Sequence, residues 1–414
     1  MERAIDIAVV GAGAAGLMAA ITAGRHARGR RVVALDGAAR LGAKILVAGG
    51  GRCNVTHDVV DERAFAGSTP PAIRKVLRRF DVAATIAFFR DLGVALKRED
   101  TGKLFPVTDR ARTVLDALLA AAADAGVELR HPWRVETVGR DADGFVVAGP
   151  AGTLCARRVV LATGGCALPS SGSDGHGLAL ARALGHGVTP RVFPALVPLT
   201  LPAGHPLTAL AGVSAEAAVS VHAAGGARLV RCAGSLLCTH VGLSGPVILD
   251  VSRHWIDAHA DDRDATLRVA FLPDDEPAAV DRWLLELGRQ SPGRALAARM
   301  PERLARTLCT LAGVDPGAAA ASLTRAQRRA LVDVLTALPL PVTGHRGFRH
   351  AEVTAGGVPL RELHLDTMAS RATPGLFLCG ELCDVDGRIG GYNYQWAWAS
   401  GHVAGLGAAR SLES

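Results

Sequence analysis

The hydrophobic pattern divides the chain into stretches of different character. Ile5-Asp6-Ile7-Ala8-Val9-Val10 is a short β-branched run suited to a strand buried on both faces. Gly11-Ala12-Gly13-Ala14-Ala15-Gly16 follows at once, Leu17 to Gly24 reads as an alanine-rich helix, and Arg31-Val32-Val33-Ala34-Leu35 reads as a second strand that ends at Asp36. Downstream, Arg158 to Leu161 predicts a strand running into Thr163-Gly164-Gly165, and Gly375 to Cys379 predicts another that ends at Gly380 and Glu381. Residues from about 195 to 272 alternate apolar stretches such as Ala215 to Val221 and Leu267 to Leu272 with glycine and proline, which suits short strands. From 276 to 338 that character is lost, and Ala278 to Leu287 and Arg325 to Leu338 read as helices, with Pro273, Pro339 and Pro341 as punctuation. No internal repeat is present.

The first segment carries a mechanical logic. Gly11 permits a tight turn, Gly13 lets a pyrophosphate approach the backbone, and Gly16 lets the helix pack on the strand. The helix start at Ala14 and Ala15 offers unpaired N–H groups to phosphates. Asp36 lies 20 residues beyond Gly16, at a strand tip where a carboxylate can hold ribose hydroxyls. Strand, glycines, helix, strand and acid in register predict a dinucleotide site. An acid on the ribose suits NAD and FAD alike.

The later segments favour FAD. Asp384-Val385-Asp386-Gly387 reads as a loop leading into a helix start at Gly390-Gly391-Tyr392-Asn393-Tyr394-Gln395-Trp396-Ala397. Such an arm can hold a ribityl chain, and the helix dipole can face the electron-rich end of a flavin. No second Gly-x-Gly-x-x-Gly follows a strand between residues 200 and 350, so a dedicated nicotinamide domain is not expected. Electrons are expected from a substrate, from NAD(P)H bound transiently at the flavin face, or from a redox partner.

The formal net charge of +7 raises a nucleic-acid reading, which composition weakens. Of 46 basic residues only Lys44, Lys75, Lys97 and Lys103 are lysines, the bias of a GC-rich coding sequence, and a dispersed solvated surface is expected. Arg282, Arg289, Arg294, Arg299, Arg303, Arg306, Arg325, Arg328 and Arg329 crowd the helical stretch, yet Asp281, Glu286 and Glu302 intersperse them, so an RNA-associated flavoprotein is the rival reading. The eight cysteines include no Cys-x-x-Cys pair and no zinc-type quartet, so no metal is expected and a reducing compartment fits. No stretch of about 18 apolar residues appears, and the chain reads as soluble and cytoplasmic with no membrane partner.

Several motifs together resemble the YhiN/BaiN-like family of FAD-dependent proteins, to which aminoacetone-oxidase-type enzymes also belong. They are Gly42-Ala43-Lys44-Ile45-Leu46-Val47-Ala48-Gly49-Gly50-Gly51-Arg52-Cys53-Asn54-Val55-Thr56, Gly102-Lys103-Leu104-Phe105-Pro106, Gly172-Ser173-Asp174-Gly175, Pro194 to Leu199, Thr239 to Pro246, Thr354-Ala355-Gly356-Gly357-Val358 and the C-terminal arm. Asp36 stands where a glutamate is common, and His57 where an asparagine is usual. The resemblance implies an α/β fold with a Rossmann-like FAD-binding domain of the glutathione-reductase type, over 1–190 and 345–414. It also implies an inserted β-rich domain over 191–275 and a small helical one over 276–344. It implies an oxidoreductase acting on a small organic substrate, either an amine-type oxidase or a reducer of carbon–carbon double bonds.

The expected cofactor contacts are Gly11, Gly13, Ala14, Ala15, Gly16, Asp36, Lys44, Gly50, Gly51, Arg52, Cys53, Asn54, Val135, Thr163, Gly164, Gly380, Glu381, Asp386, Gly390, Gly391, Tyr392 and Asn393. Three successive glycines before Arg52 allow close backbone approach to the flavin ring, and Arg52 and Asn54 can donate hydrogen bonds to it. Cys53 has no resolving partner nearby and reads as a small packed thiol. His240, in a Gly/Ser/Pro-rich loop, is the expected proton-transfer residue, and Arg52, Asn54 and Tyr392 complete the catalytic candidates. One of the two tyrosines, Tyr392 and Tyr394, is expected to line the substrate pocket and the other to pack, while Trp396, Trp398, Cys379 and Cys383 read as core.

Overall fold

The computed structural model describes residues 5–413. The chain divides into two compact units, one formed by the chain up to Pro194 together with the segment from Glu352 onward, the other by Ala195–Ala351.

The first unit is built on a nine-stranded sheet whose five central strands run parallel. Its central strands are β1 (Ile5–Val10), β2 (Val32–Leu35), β3 (Val127–Arg130), β4 (Gly152–Leu161) and β5 (Leu376–Leu378), in the spatial order β5-β4-β1-β2-β3. Val10 pairs with Leu35 on one side and Leu161 on the other, and Leu161 pairs in turn with Leu378. β1, β2 and β5 are apolar at nearly every position because both faces are covered. β4 is longer than its apolar half predicts, since Gly152 to Ala156 pair antiparallel with Phe145–Gly149. The chain leaves β1 toward β2 and later returns to β1's other edge as β4. That places the topological switch point between β1 and β4, where doubly wound sheets open a crevice at the carboxyl ends.

Helix α1 (Ala14–His26) is buried from Ala15 through Ala23 and so lacks an amphipathic stripe. It packs on the sheet and, along its length, on the last helix, α3 (Tyr392–Arg410), which touches the sheet as well; between these two in sequence comes α2 (Ala43–Gly51). A Cβ at Gly401 would fall 2.4 Å from the Ala15 carbonyl oxygen, and one at Gly405 2.2 Å from that of Ala19. The two helices therefore touch backbone to backbone, which accounts for their small residues.

The second unit holds a seven-stranded sheet in the order Leu338–Leu340, Thr266–Ala270, Ser214–His222, Arg228–Thr239, Gly242–Ser244, Leu199–Thr200, Gly344–His345, every neighbour antiparallel. One element departs from the sequence reading: Pro246–Asp261 is a 16-residue helix inside the stretch read as strands. The Gly245-Pro246 pair marks its first turn, where proline is favoured, rather than a loop. Val247, Ile248, Val251 and Trp255 join the same core as the sheet. Helices Pro277–Glu286, Glu302–Leu311 and Arg325–Ala337 also bury residues in that core, the last opened by a Thr324/Gln327 capping box.

Candidate dinucleotide and flavin site

Gly11, Asp36, Thr163 and Gly380 follow the ends of β1, β2, β4 and β5, so the carboxyl ends of the central strands gather segments from both ends of the first unit's sequence. The three motif glycines differ in what demands them. Gly11 has φ +96°, and a Cβ there would lie 2.5 Å from the Ala162 carbonyl oxygen; one at Gly16 would lie 1.8 Å from that of Gly11. Both are required by the protein's own backbone. Gly13, the N-cap of α1, has an ordinary φ of −79°, and a Cβ on it would meet nothing within 4 Å. The room in front of Gly13 serves something the chain does not itself supply, beside the free N–H groups of the first turn of α1.

Asp36 is fixed at the rim of this turn. Its Oδ2 accepts from Ala12 N at 2.7 Å and its Oδ1 from Ala38 N at 2.8 Å. Its carbonyl accepts from Trp133 N at 2.6 Å, bringing the connection with Arg134 and buried Val135 alongside, and Arg134 pairs with Asp174 at 2.8 Å.

Four buried side-chain polar atoms among the described residues have no hydrogen-bond partner, and three belong to this unit: Asn54 Oδ1, Thr163 Oγ1 and Ser173 Oγ. A buried polar group left unpaired costs about 1–3 kcal/mol. All three come from segments expected to contact the cofactor or next to them. Open space before Gly13 and unpaired oxygens on Asn54, Thr163 and Ser173 fit a dinucleotide with a flavin ring.

Behind the edge, a hydrogen-bonded chain ties the segments together. Cys166 N and Ala167 N donate to Thr354 Oγ1 at 2.7 and 3.0 Å, Thr354 Oγ1 and N donate to Glu381 Oε1 at 2.8 and 3.0 Å, and Glu381 Oε2 pairs with Lys44 Nζ. Burial, with the Glu381 and Asp174 carboxylates nearby, pushes the Cys166 thiol up.

The glycine triplet sits at the end of α2 rather than in a free loop. Ala48 turns extended, Gly49 and Gly50 take left-handed conformations, and Cys53 also sits at positive φ, its N–H donating to the Ala48 carbonyl at 3.0 Å. The Cys53 thiol is wholly buried and pushed up to about 12 by burial, a packing residue without redox poise. Gly49, Gly50 and Gly51 are exposed along one rim. Arg52 is already engaged: Nη1 donates to Glu99 at 2.6 Å, and the guanidinium lies 4.0 Å over the Phe105 ring. Asn54 is buried with Oδ1 available.

The C-terminal arm departs from the expected loop. Val385–Gly387 is a strand paired with Phe65–Gly67, a partner distant in sequence, and it buries Asp386. Asn393 clamps that strand, its Oδ1 accepting from Gly387 N at 2.8 Å and its Nδ2 donating to the Gly387 carbonyl at 2.9 Å, so only its backbone is left to face a cofactor. Gly390 and Gly391 turn the chain into α3, which begins at Tyr392. Tyr392 stacks on His57 at 5.0 Å and meets the Phe65 ring edge-on at 6.1 Å. Tyr394 donates to the Lys44 carbonyl at 3.2 Å, and burial raises its hydroxyl well above the usual range. Trp396 and Trp398 are core, donating to the Gly380 and Val55 carbonyls. His240 belongs to the second unit, where it and Val241 form the exposed two-residue turn between paired Thr239 and Gly242.

Compared with known proteins, residues 5–407 match the profile described as the HI0933-like protein Rossmann domain. The chain belongs to this family. Its HI0933-like relatives include a protein named 3-dehydro-bile acid delta(4,6)-reductase from Clostridium scindens, 37% identical over 97% of this chain and 98% of the relative. Another, named ribosomal RNA dihydrouridine synthase, from Escherichia coli, is 35% identical over 97% of this chain and 96% of the relative. Among solved structures, a quinol-fumarate reductase shares the fold, with a TM-score of 0.51 at 16% identity over 99% of this chain and 71% of that one. As an HI0933-like protein with this cradle, the chain is an FAD-dependent oxidoreductase.

Two further residues beside these segments were not named as contacts from the sequence. Ser173 lay inside a quoted motif, but its burial with an unpaired hydroxyl is set by tertiary packing. Thr354, the hub of the Cys166–Glu381 chain, lay in another, with no local signal for its role. No cluster of His, Cys, Asp and Glu among the described residues could hold a metal ion, and no helix among them is long and apolar enough to cross a membrane.

Proposed function

We propose that the chain is a flavin-dependent reductase that adds hydride and a proton across a carbon–carbon double bond conjugated to a carbonyl, with NAD(P)H as electron donor. The observation that carries this reading is the cradle at the sheet edge, with room at Gly13 and unpaired oxygens at Asn54, Thr163 and Ser173. The names of both relatives supply the direction, since each describes reduction of such a bond: a steroid dienone in one, the uracil C5–C6 bond beside a carbonyl in the other. FAD when bound supplies the hydride chemistry, and the protein supplies orientation and electrostatics. Gly13 and the start of α1 hold the pyrophosphate, Asp36 the ribose, and the segment Gly50 to Asn54 with the start of α3 the ring. Tyr392, at the start of α3, is proposed to hand the proton to the carbon beside the carbonyl. Cys53, Cys379 and Cys383, buried thiols outside any disulfide, accord with a reducing, cytoplasmic setting.

The test is a visible spectrum of the purified protein, then anaerobic addition of NADPH followed by a conjugated enone. Bleaching by NADPH and recovery with the enone are expected. Indifference to NADPH, with peroxide released from amines, would replace the reading with an oxidase.

One observation favours an RNA substrate over a small molecule. In the second unit His345, Arg346, Arg349 and His350 are exposed within six residues, and Arg346 donates to His350 Nε2 at 2.8 Å rather than to a carboxylate. The helical arginines argue less for it, since Arg299, Arg306 and Arg328 pair with Asp275, Glu302 and Asp281. Salt-dependent retention of ribosomal RNA, lost in Arg346→Ala/Arg349→Ala, would establish this second reading.

A further inference from the structure

We infer that His57 is a proton-coupled positioning residue for the start of α3, binding a proton when negative charge arrives there and releasing it when that charge leaves. The inference rests on the proposed function, in which the electron-rich end of a flavin faces this helix start.

The ring is held in a setting that satisfies both of its charge states. His57 Nε2 lies 3.0 Å from the Thr101 carbonyl, and Nδ1 lies 3.2 Å from Val59 N and 2.8 Å from Asp58 Oδ1. In the neutral ring Nε2–H donates to Thr101, and Nδ1 accepts from Val59 N–H. In the cation Nε2–H keeps its partner, and Nδ1–H donates to Asp58. Proton uptake therefore exchanges one Nδ1 partner for another and leaves no buried group unpaired. Gly102 makes the seat possible, because a Cβ there would fall 2.4 Å from His57 Cε1.

The surroundings keep the carboxylate ready and bring the ring to the helix. The Asp58 carboxyl is held below its usual range first by the hydrogen bond from Arg98, at 2.6 Å, with His57 itself adding to the effect. His57 stacks on Tyr392, the first residue of α3, with 20° between the rings. A Cβ at Gly390 would lie 3.3 Å from Tyr392 Cε2, 3.6 Å from His57 Cδ2 and 3.7 Å from Lys103 Cε. The groups facing the imidazole are thus Asp58 with Arg98 behind it, Lys103 from the neighbouring strand, and Tyr392 from α3. Lys103 is a standing cation at the positive end of a helix dipole, and His57 is a conditional one. An imidazole is the side chain whose charge changes between about pH 5 and 8.

Coupling between two sites is reciprocal. Negative charge that a reduced flavin would bring to the start of α3 would favour the protonated His57, which would draw its proton from solvent. For a two-electron couple each added proton steepens the potential by about 29.6 mV per pH unit.

The experiment measures the midpoint potential of the FAD-loaded, full-length protein by dithionite titration with mediators, at pH steps from about 6 to 8.5, a range that brackets ordinary imidazole titration. His57→Asn keeps one donor and one acceptor but no titration. The wild type should be steeper than this variant by up to about 29.6 mV per pH unit over part of the range. Asp58→Asn should move the steep region to lower pH without abolishing it. A purely structural role for His57 would offset the potential equally at every pH, and parallel slopes would overturn the inference while leaving the flavin assignment standing. A protein that takes up no FAD would remove the proposed function and this inference with it.

Discussion

Lys44 and Glu381 lie 337 residues apart in sequence and meet in an ion pair beside the turn after β5, with the second oxygen of Glu381 held by Thr354. Side-chain exposures of 28% and 16% place the pair between a surface bridge and a buried one. Its value is chiefly geometric, because it fixes α2 against the turn after β5. Glu381→Gln keeps an acceptor for Thr354 and removes the charge opposite Lys44. That change should cost about 1–3 kcal/mol, seen as a melting point lower by several degrees, and should weaken FAD binding on the order of tenfold in a fluorescence titration. Unchanged affinity would mean that Lys44 is placed without its partner.

The contrast among the motif glycines separates ligand binding from folding. Gly13→Ala meets no protein atom and needs no unusual φ, so the apoprotein should melt as the wild type does while FAD retention falls at least about tenfold. Gly16→Ala drives a Cβ into the Gly11 carbonyl and should lower the melting point of the apoprotein itself. Equal behaviour of the two variants would show that the space before Gly13 is not where the pyrophosphate binds.

Gln395 Oε1 accepts from Thr56 Oγ1 at 2.7 Å and Thr85 Oγ1 at 2.9 Å, while Nε2 donates to the Phe80 carbonyl at 2.8 Å, all in buried surroundings. Gln395→Leu strands the Thr56 hydroxyl and the Phe80 carbonyl, while the Thr85 hydroxyl keeps the Asp81 carbonyl at 3.0 Å. We expect about 2–5 kcal/mol of destabilisation by denaturant titration, and the further change of Thr56 and Thr85 to valine should recover part of it. Failure of that rescue would argue that packing, not hydrogen bonding, holds the start of α3.

His402, whose ring lies tilted against Phe80 at 4.7 Å, is pushed down to about 4 by burial, with His26 and Arg410 adding repulsion. The unfolded chain binds this proton near pH 6.5. Because the folded value is the lower one, the contribution of the neutral ring is complete above about pH 6.5 and is lost as pH falls toward 4. Melting curves of wild type and His402→Gln should therefore converge in that window, with the wild type losing at least about 2 °C more. Parallel acid dependence would place the sensitivity elsewhere.

The sheet edge was legible because its elements are local. A buried strand reads as an apolar run, and a glycine turn reads as a motif. The helix at Pro246–Asp261 was hidden because Gly245-Pro246 signals a helix start and a loop equally well. Val385–Gly387 was read as a loop because its partner strand lies over three hundred residues upstream. Gly13 and Asn54 could be named from sequence, but the room before one and the unpaired oxygen of the other are properties of the packed chain. Asn393 shows the reverse case, a polar residue in the right segment whose side chain is spent on its own backbone.

The backbone contact between Gly401 and Ala15, and between Gly405 and Ala19, has a consequence for biosynthesis. The glycine turn that would hold the pyrophosphate leaves the ribosome well before the helix that packs on it, which is made nearly four hundred residues later. At ordinary rates of synthesis that interval is roughly twenty seconds to more than a minute. During it the nascent first unit has no lid for α1, whereas Ala195–Ala351 is contiguous and can complete its own core. Cofactor loading is thus deferred until the late helix arrives, and a ribosome stalled before that point would carry a folded middle and an open, flavin-free beginning.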